Sequence, residues 1–209
     1  MNANAPILEV DSLVKTYTRG RFSKQETFRL EADFTVQESG IIGVMGPNGS
    51  GKTTLFELIT GSNQPTSGSV KCMGQNIHNV RYGERDRVAI HYHQSYQVRH
   101  FSKLKPAFMM DRAATDYPMI HLFDEPQFNT QDGYIGFMLD FFRKLKDEGR
   151  LVFVCVHPNE PFHLDIMEEI CERFIFVQKG SLSLLDDFSQ VLAHPPAQDY
   201  LGALADRAA

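Results

Sequence analysis

Apolar and polar residues alternate from Ile7 to Tyr17 and again from Phe28 to Val36, the period-two pattern of half-buried strands. Between them, Thr18-Arg19-Gly20-Arg21-Phe22-Ser23-Lys24 is turn-like and basic, and reads as a solvated hairpin tip. The pattern then changes. Ile41-Ile42-Gly43-Val44-Met45, Met119-Ile120-His121-Leu122-Phe123 and Leu151-Val152-Phe153-Val154-Cys155-Val156 are unbroken apolar runs of strand length, which need cover on both faces. Val88 to His93 is a further strand candidate, and Phe174-Ile175-Phe176-Val177 reads as a strand before the turn Lys179-Gly180. Helical spacing appears from Lys52 to Thr60, stopped by Gly61, and from Tyr134 to Lys146 through Ile135, Met138, Leu139, Phe142 and Leu145. Ile166 to Arg173 reads as another helix, and Asp186 to Ala209 as a helical, loosely attached tail. Strands alternating with helices predict an α/β fold with a mostly parallel central sheet, and the N-terminal strands add an antiparallel β subdomain.

The chain has 209 residues, enough for one domain with a substantial core. Asp+Glu number 26 against 21 Lys+Arg, so the mildly acidic balance supplies no general attraction for nucleic acid, and none is expected as a partner. No apolar run approaches the roughly 20 residues of a membrane span. Met1 to Val10 lacks the basic end and apolar stretch of a secretory signal. Cys72, Cys155 and Cys171 match neither a disulfide framework nor a zinc spacing, so a reducing cytoplasm is the simplest compartment.

The chemistry is concentrated at Gly46-Pro47-Asn48-Gly49-Ser50-Gly51-Lys52-Thr53, which satisfies G-x-x-x-x-G-K-[ST] between an apolar strand and a helix. Its glycines permit backbone N–H groups to converge on phosphates, and the following helix start adds positive charge. Lys52 can reach the β- and γ-phosphates of a nucleoside triphosphate, and the Thr53 hydroxyl can bind Mg²⁺. His91 and His93 share a strand face, but two candidate metal ligands without a third read as structural.

The wider stretch Gly43 to Leu55, which includes Thr54, resembles the ATP-binding cassette (ABC) ATPases, and so do Thr60-Gly61, Pro65-Thr66-Ser67-Gly68-Ser69-Val70 and Gly74. The resemblance covers most of the chain in the family's motif order. It implies ATP with Mg²⁺ as ligands and a P-loop core. Tyr17 falls where the family places an aromatic that stacks on adenine. Gln94 resembles the glutamine that senses Mg²⁺ and the γ-phosphate, with Gln97 a weaker candidate. Phe123-Asp124-Glu125-Pro126 resembles the Walker B strand end, where Asp124 would hold magnesium and Glu125 would orient or deprotonate the attacking water. His157 occupies the register of the switch histidine that contacts the γ-phosphate.

The family's signature loop, Leu-Ser-Gly-Gly-Gln, has no good match. Asp124 follows Gln94 by 30 positions, too few for a several-helix subdomain plus a strand. The nearest stretch, Phe101-Ser102-Lys103-Leu104-Lys105, keeps only the serine, and Lys103 and Leu104 in place of the two glycines would block close backbone approach. In the D-loop register Gln131 replaces the aspartate, with Asp132 one place later. The helical subdomain is therefore expected to be largely absent and the signature degenerate. The expected division is one domain, 1–209: an antiparallel β subdomain over about 1–40 and 62–80, a P-loop core over about 41–61 and 85–180, and a tail over 181–209.

Two functions stay open at this point. One is an ABC-type ATPase subunit of a transport system or other complex, cytoplasmic or peripheral at the inner membrane face, partnered by a second complete cassette or a membrane permease. The other is an ATP-responsive regulatory module with little autonomous hydrolysis. Chromosome-maintenance ATPases of this family carry long coiled coils, and no heptad stretch exists here. A small-molecule kinase leaves Gln94, Asp124-Glu125-Pro126 and His157 unexplained.

Overall fold

A computed structural model describes residues 5–20, 24–93, 118–126 and 134–207. Strand β1 (Leu8–Arg19) and β2 (Gln25–Val36) pair antiparallel, extending the two alternating segments at their inner ends. With β4 (Ser67–Cys72) and β5 (Gln75–Asn76) they form a four-stranded antiparallel sheet in the order β2-β1-β4-β5. The apolar runs become β3 (Gly40–Met45), β7 (Ile120–Asp124) and β8 (Leu151–Cys155). Together with β6 (Ala89–His93), β9 (Arg173–Gln178) and β10 (Ser181–Leu185) they make a six-stranded sheet, β10-β9-β3-β8-β7-β6, parallel except for the edge strand β10.

Period-two alternation sends the two halves of each central strand into different cores. Val152 and Val154 of β8 and Phe174 and Phe176 of β9 face one core, while Leu151, Phe153, Ile175 and Val177 face the other. The second core is closed by the antiparallel sheet and by α1 (Lys52–Ile59), which contributes Leu55, Phe56, Leu58 and Ile59. The first is covered by α2 (Tyr134–Asp147), which buries Met138, Leu139, Phe142 and Leu145 as its spacing predicts, half-buries Ile135 and buries Phe141 besides.

Two expectations change. The helix expected over Ile166–Arg173 is α3 (Pro161–Ile170). Pro161 sits in the first turn, where its fixed φ suits a helix start. The Glu160 N–H donates to His163 Nδ1 at 3.3 Å. Arg173 is left to begin β9. The tail is not loose. Residues 181–185 form the edge strand, and α4 (Phe188–Ala193) and α5 (Pro195–Leu201) seal the first core. Phe188, Val191, Ala197 and Leu201 are buried there. At about 1.5–3 kcal/mol for each large side chain, that burial holds the tail down.

Candidate functional site

The loop after β3 curls tightly because its neighbours leave no room for side chains. Gly46 has φ 143°, and a Cβ there would lie 2.0 Å from the carbonyl oxygen of Val177 on β9. Lys52, the first residue of α1, is buried, and its ammonium donates to the carbonyls of Gly46 (2.6 Å) and Pro47 (2.9 Å). The positive charge is thereby held inside the curve of the loop. The Ser50 hydroxyl is also buried and makes no hydrogen bond among the described residues.

The β9–β10 turn braces the loop from outside. The Gly180 N–H donates to the Ser50 carbonyl (2.9 Å), and its own carbonyl accepts from the Glu31 N–H of β2 (2.8 Å). With φ 81° and a hypothetical Cβ 1.8 Å from the Arg29 carbonyl oxygen, this position accepts only glycine. The Lys179-Gly180 turn visible in the sequence thus ties the loop to the antiparallel sheet.

Opposite the loop, β7 delivers Asp124. Its Oδ2 accepts from the Thr53 hydroxyl at 3.0 Å and lies 3.4 Å from His91 Nε2. Burial by itself would raise the Asp124 pKa. The hydrogen bond and charge of His91, with the Thr53 hydroxyl and the Cys155 thiol, outweigh it and hold the carboxyl below the usual carboxylate range. Asp124 is therefore an anion at neutral pH. Glu125 follows with φ 53°, a left-handed conformation that costs a non-glycine residue about 1 kcal/mol or more and clusters at functional sites. Its N–H is fixed to the Cys155 carbonyl at 2.9 Å.

Between these walls is a cleft of about 430 Å³, within the range of small-molecule sites. It is lined by Tyr17, Thr27, Phe28, Asn48, Gly49, Gly51, Lys52, Thr53, Thr54, Asp124 and Glu125. Tyr17 and Phe28 are cross-strand partners of β1 and β2, with ring centroids 6.2 Å apart. The Tyr17 hydroxyl accepts from Asn63 Nδ2 (2.7 Å), and the Lys15 ammonium stands 5.1 Å from the ring centroid.

The structure therefore gathers Tyr17, Asn48, Gly49, Gly51, Lys52, Thr53, Thr54, Asp124 and Glu125 around one space, with Gly46, Pro47 and Ser50 behind them in the loop. His157 is exposed just beyond β8 and does not line the cleft; its Nδ1 is 2.7 Å from the Tyr200 hydroxyl of α5. Gln94, Gln97, Ser102, Lys103, Gln131, Asp132 and the expected site of the shortened helical subdomain lie outside the described residues. His91, read as structural from sequence, is a neighbour of Asp124 instead. Pairing of β6 with β7 puts it on the adjacent strand, a register that spacing does not disclose. Phe28 and Gly180 were also missed, since each acts through a contact distant in sequence.

The donor set suits a hard divalent cation: a hydroxyl and an ionised carboxylate already in contact, both oxygen ligands. The buried ammonium and loop suit a polyphosphate, and the aromatic pair at the other end suits a base.

Residues 30–132 match the model of the family described as ABC transporter. The ATP-binding protein ChvD of Rhizobium radiobacter is 44% identical over 72 residues, 34% of this chain and 23% of its own length. The lipoprotein-releasing system ATP-binding protein LolD of Alcanivorax borkumensis is 34% identical over 92 residues, 44% of this chain and 40% of its own length. The matches thus span less than half the length of these curated relatives. A nucleotide-free ATP-binding cassette from an ABC transporter superposes with TM-score 0.67 at 16% identity, covering 93% of this chain and 98% of that one. For cbiO1 of Clostridium perfringens, part of an ABC transporter complex, the TM-score is 0.61 at 16% identity over 98% of this chain and 97% of that one. These two likenesses establish the fold.

Proposed function

We propose, on the premise that this chain belongs to the ABC ATPase family, that its cleft binds MgATP and that the chain works as the ATP-binding component of a transport system or other multi-subunit complex. The observation that carries this reading is the meeting of Lys52, Thr53, Asp124 and Glu125 on one cleft, with Thr53 hydrogen-bonded to Asp124. Lys52 and the loop N–H groups hold the β- and γ-phosphates, and Tyr17 stacks on the base. Thr53 and Asp124, with Gln94, hold the magnesium. When bound, that ion neutralises charge on the transferring phosphoryl oxygens. Glu125 orients water and accepts its proton at the carboxylate as the oxygen attacks the γ-phosphorus, while the bond to the β,γ-bridging oxygen breaks and ADP leaves. His157 contacts the γ-phosphate. We take 1–209 as a single ATP-binding domain divided as the sequence suggests.

No helix among the described residues is long and apolar enough to cross a membrane. For a transport role we take a membrane permease, alone or with a second complete cassette, as the partner. That partner would hold the chain at the inner face of the membrane.

The test is nucleotide binding followed by turnover. Lys52→Ala is expected to abolish ATP binding, and Glu125→Gln to retain binding and lose hydrolysis. Equal ATP affinity in the wild type and Lys52→Ala would sink the proposal. The short, serine-only signature region favours a second reading, an ATP-responsive module with little hydrolysis of its own. Steady-state turnover of the pure chain clearly above the Glu125→Gln blank rules that out.

A further inference from the structure

The helix α5 brings one polar group to His157, and no motif in the sequence marks it. Tyr200 on α5 rests its ring against Phe176 of β9, with centroids 5.8 Å apart, and sets its hydroxyl 2.7 Å from His157 Nδ1. The two rings are 5.7 Å apart at 53°. We propose that Tyr200 is a positioning residue that fixes the tautomer of His157: its phenol donates to Nδ1, so the ring proton stays on Nε2. This rests on the reading of His157 as a γ-phosphate contact.

Three observations carry it. First, the contact is short and its partners are anchored. Ala197 and Leu201 on the same helix are buried in the core, so the phenol is delivered by a rigid element. Second, among the described residues the Tyr200 hydroxyl makes no other hydrogen bond, so Nδ1 is the protein acceptor within reach of its proton. Third, the phenol keeps its proton. Burial, helped by the negative field of Glu125, holds the Tyr200 pKa well above the usual phenol value.

The chemical consequence follows from the two-nitrogen ring. A neutral imidazole that accepts at Nδ1 must carry its hydrogen on Nε2, and an N–H donor is what an anionic phosphate oxygen requires. The opposite tautomer would present a lone pair to the same anion. Nε2 of His157 makes no hydrogen bond among the described residues, so its donor is available to a ligand.

The experiment uses the full chain with ¹⁵N-labelled histidine, assigned with His157→Gln, in a long-range ¹H–¹⁵N spectrum above the imidazole pKa. Wild type is expected to show His157 with Nε2 protonated and Nδ1 shifted as a hydrogen-bonded acceptor. Tyr200→Phe, which removes one oxygen and keeps the ring, is expected to return Nδ1 to the free-acceptor position. The ATP:ADP affinity ratio should fall roughly threefold to tenfold with ADP affinity unchanged, the value of one neutral hydrogen bond. A general structural defect would weaken both nucleotides together. In a His157→Ala background, Tyr200→Phe should change nothing further. A protonated Nδ1 in wild type, or an unchanged His157 spectrum in Tyr200→Phe, overturns the proposal. If His157→Ala alone leaves the ATP:ADP ratio at its wild-type value, the γ-phosphate role of His157 falls, and the spectrum still decides the Tyr200 contact by itself.

Discussion

His121 makes β7, the strand that delivers Asp124, sensitive to acid. It is fully buried, with Nε2 3.1 Å from the Pro118 carbonyl and Nδ1 3.2 Å from the Tyr92 hydroxyl. Its ring stacks with those of Tyr92 (6.0 Å) and Phe123 (6.3 Å). A neutral imidazole donating to Pro118 and accepting from Tyr92 satisfies both nitrogens; protonation would break the Tyr92 bond and bury a charge. Burial, reinforced by the Arg150 guanidinium and only partly offset by the Pro118 bond, pushes its pKa down to about 3. Below about pH 6.5 the unfolded chain binds a proton here that the folded chain refuses. The contribution to stability is therefore complete above pH 6.5 and is lost as pH falls toward 3, at up to about 1.4 kcal/mol per pH unit. Acidification from 6.5 to 4.5 should cost on the order of 2 kcal/mol from this residue, a large share of the 5–15 kcal/mol typical of a domain. Asp124 does not confuse the window. Its depressed pKa keeps its contribution until pH falls below the ordinary carboxylate value of 3.8. The assay is urea unfolding by circular dichroism at pH 7.5, 6.5, 5.5 and 4.5 for wild type and His121→Gln. The variant is expected to be less stable at neutral pH and to lose less on acidification, so the two profiles converge. Profiles that stay parallel would refute the reasoning.

Three further outcomes are expected. Gly180→Ala should lose about 2 kcal/mol or more of stability and weaken ATP binding, because its Cβ meets the Arg29 carbonyl and detaches the turn from Ser50; thermal melts and an ATP titration check both. Tyr17→Ala should weaken ATP about tenfold, a typical loss for one base–aromatic stack, while inorganic triphosphate binding is unchanged; equal losses for both ligands would contradict the stacking role. None of the three thiols should react with a disulfide reagent in the native chain near pH 8, since all are buried and Cys72 is pushed up to about 12; stoichiometric labelling on unfolding completes the test.

Local information sufficed for most of this molecule. A strand running into Gly46–Thr53 and then a helix is a contiguous arrangement, so the loop, Lys52 and Thr53 were legible from spacing. The apolar runs of β3, β7 and β8 announced a sheet covered on both faces, because period-two strands buried twice have no polar positions to spare. Asp124 and Glu125 were legible only through family resemblance, since a carboxylate at a strand end is common. Contacts that cross the chain were hidden. Whether His91 meets Asp124 depends on β6 pairing with β7 in one register, and a shift of one residue would turn it to the other face. Gly180 is constrained by the backbones of Arg29 and Ser50, far away in sequence. The tail looked detachable because short helices carry weak periodicity, and only the exposed face of the first core shows what Phe188, Val191 and Leu201 are for. The sequence by itself determined the phosphate-binding loop and the sheet beneath it. Tertiary structure alone decided that a tyrosine from the last helix reaches His157, because a hydrogen bond between residues 43 positions apart exists only once both have been packed into place.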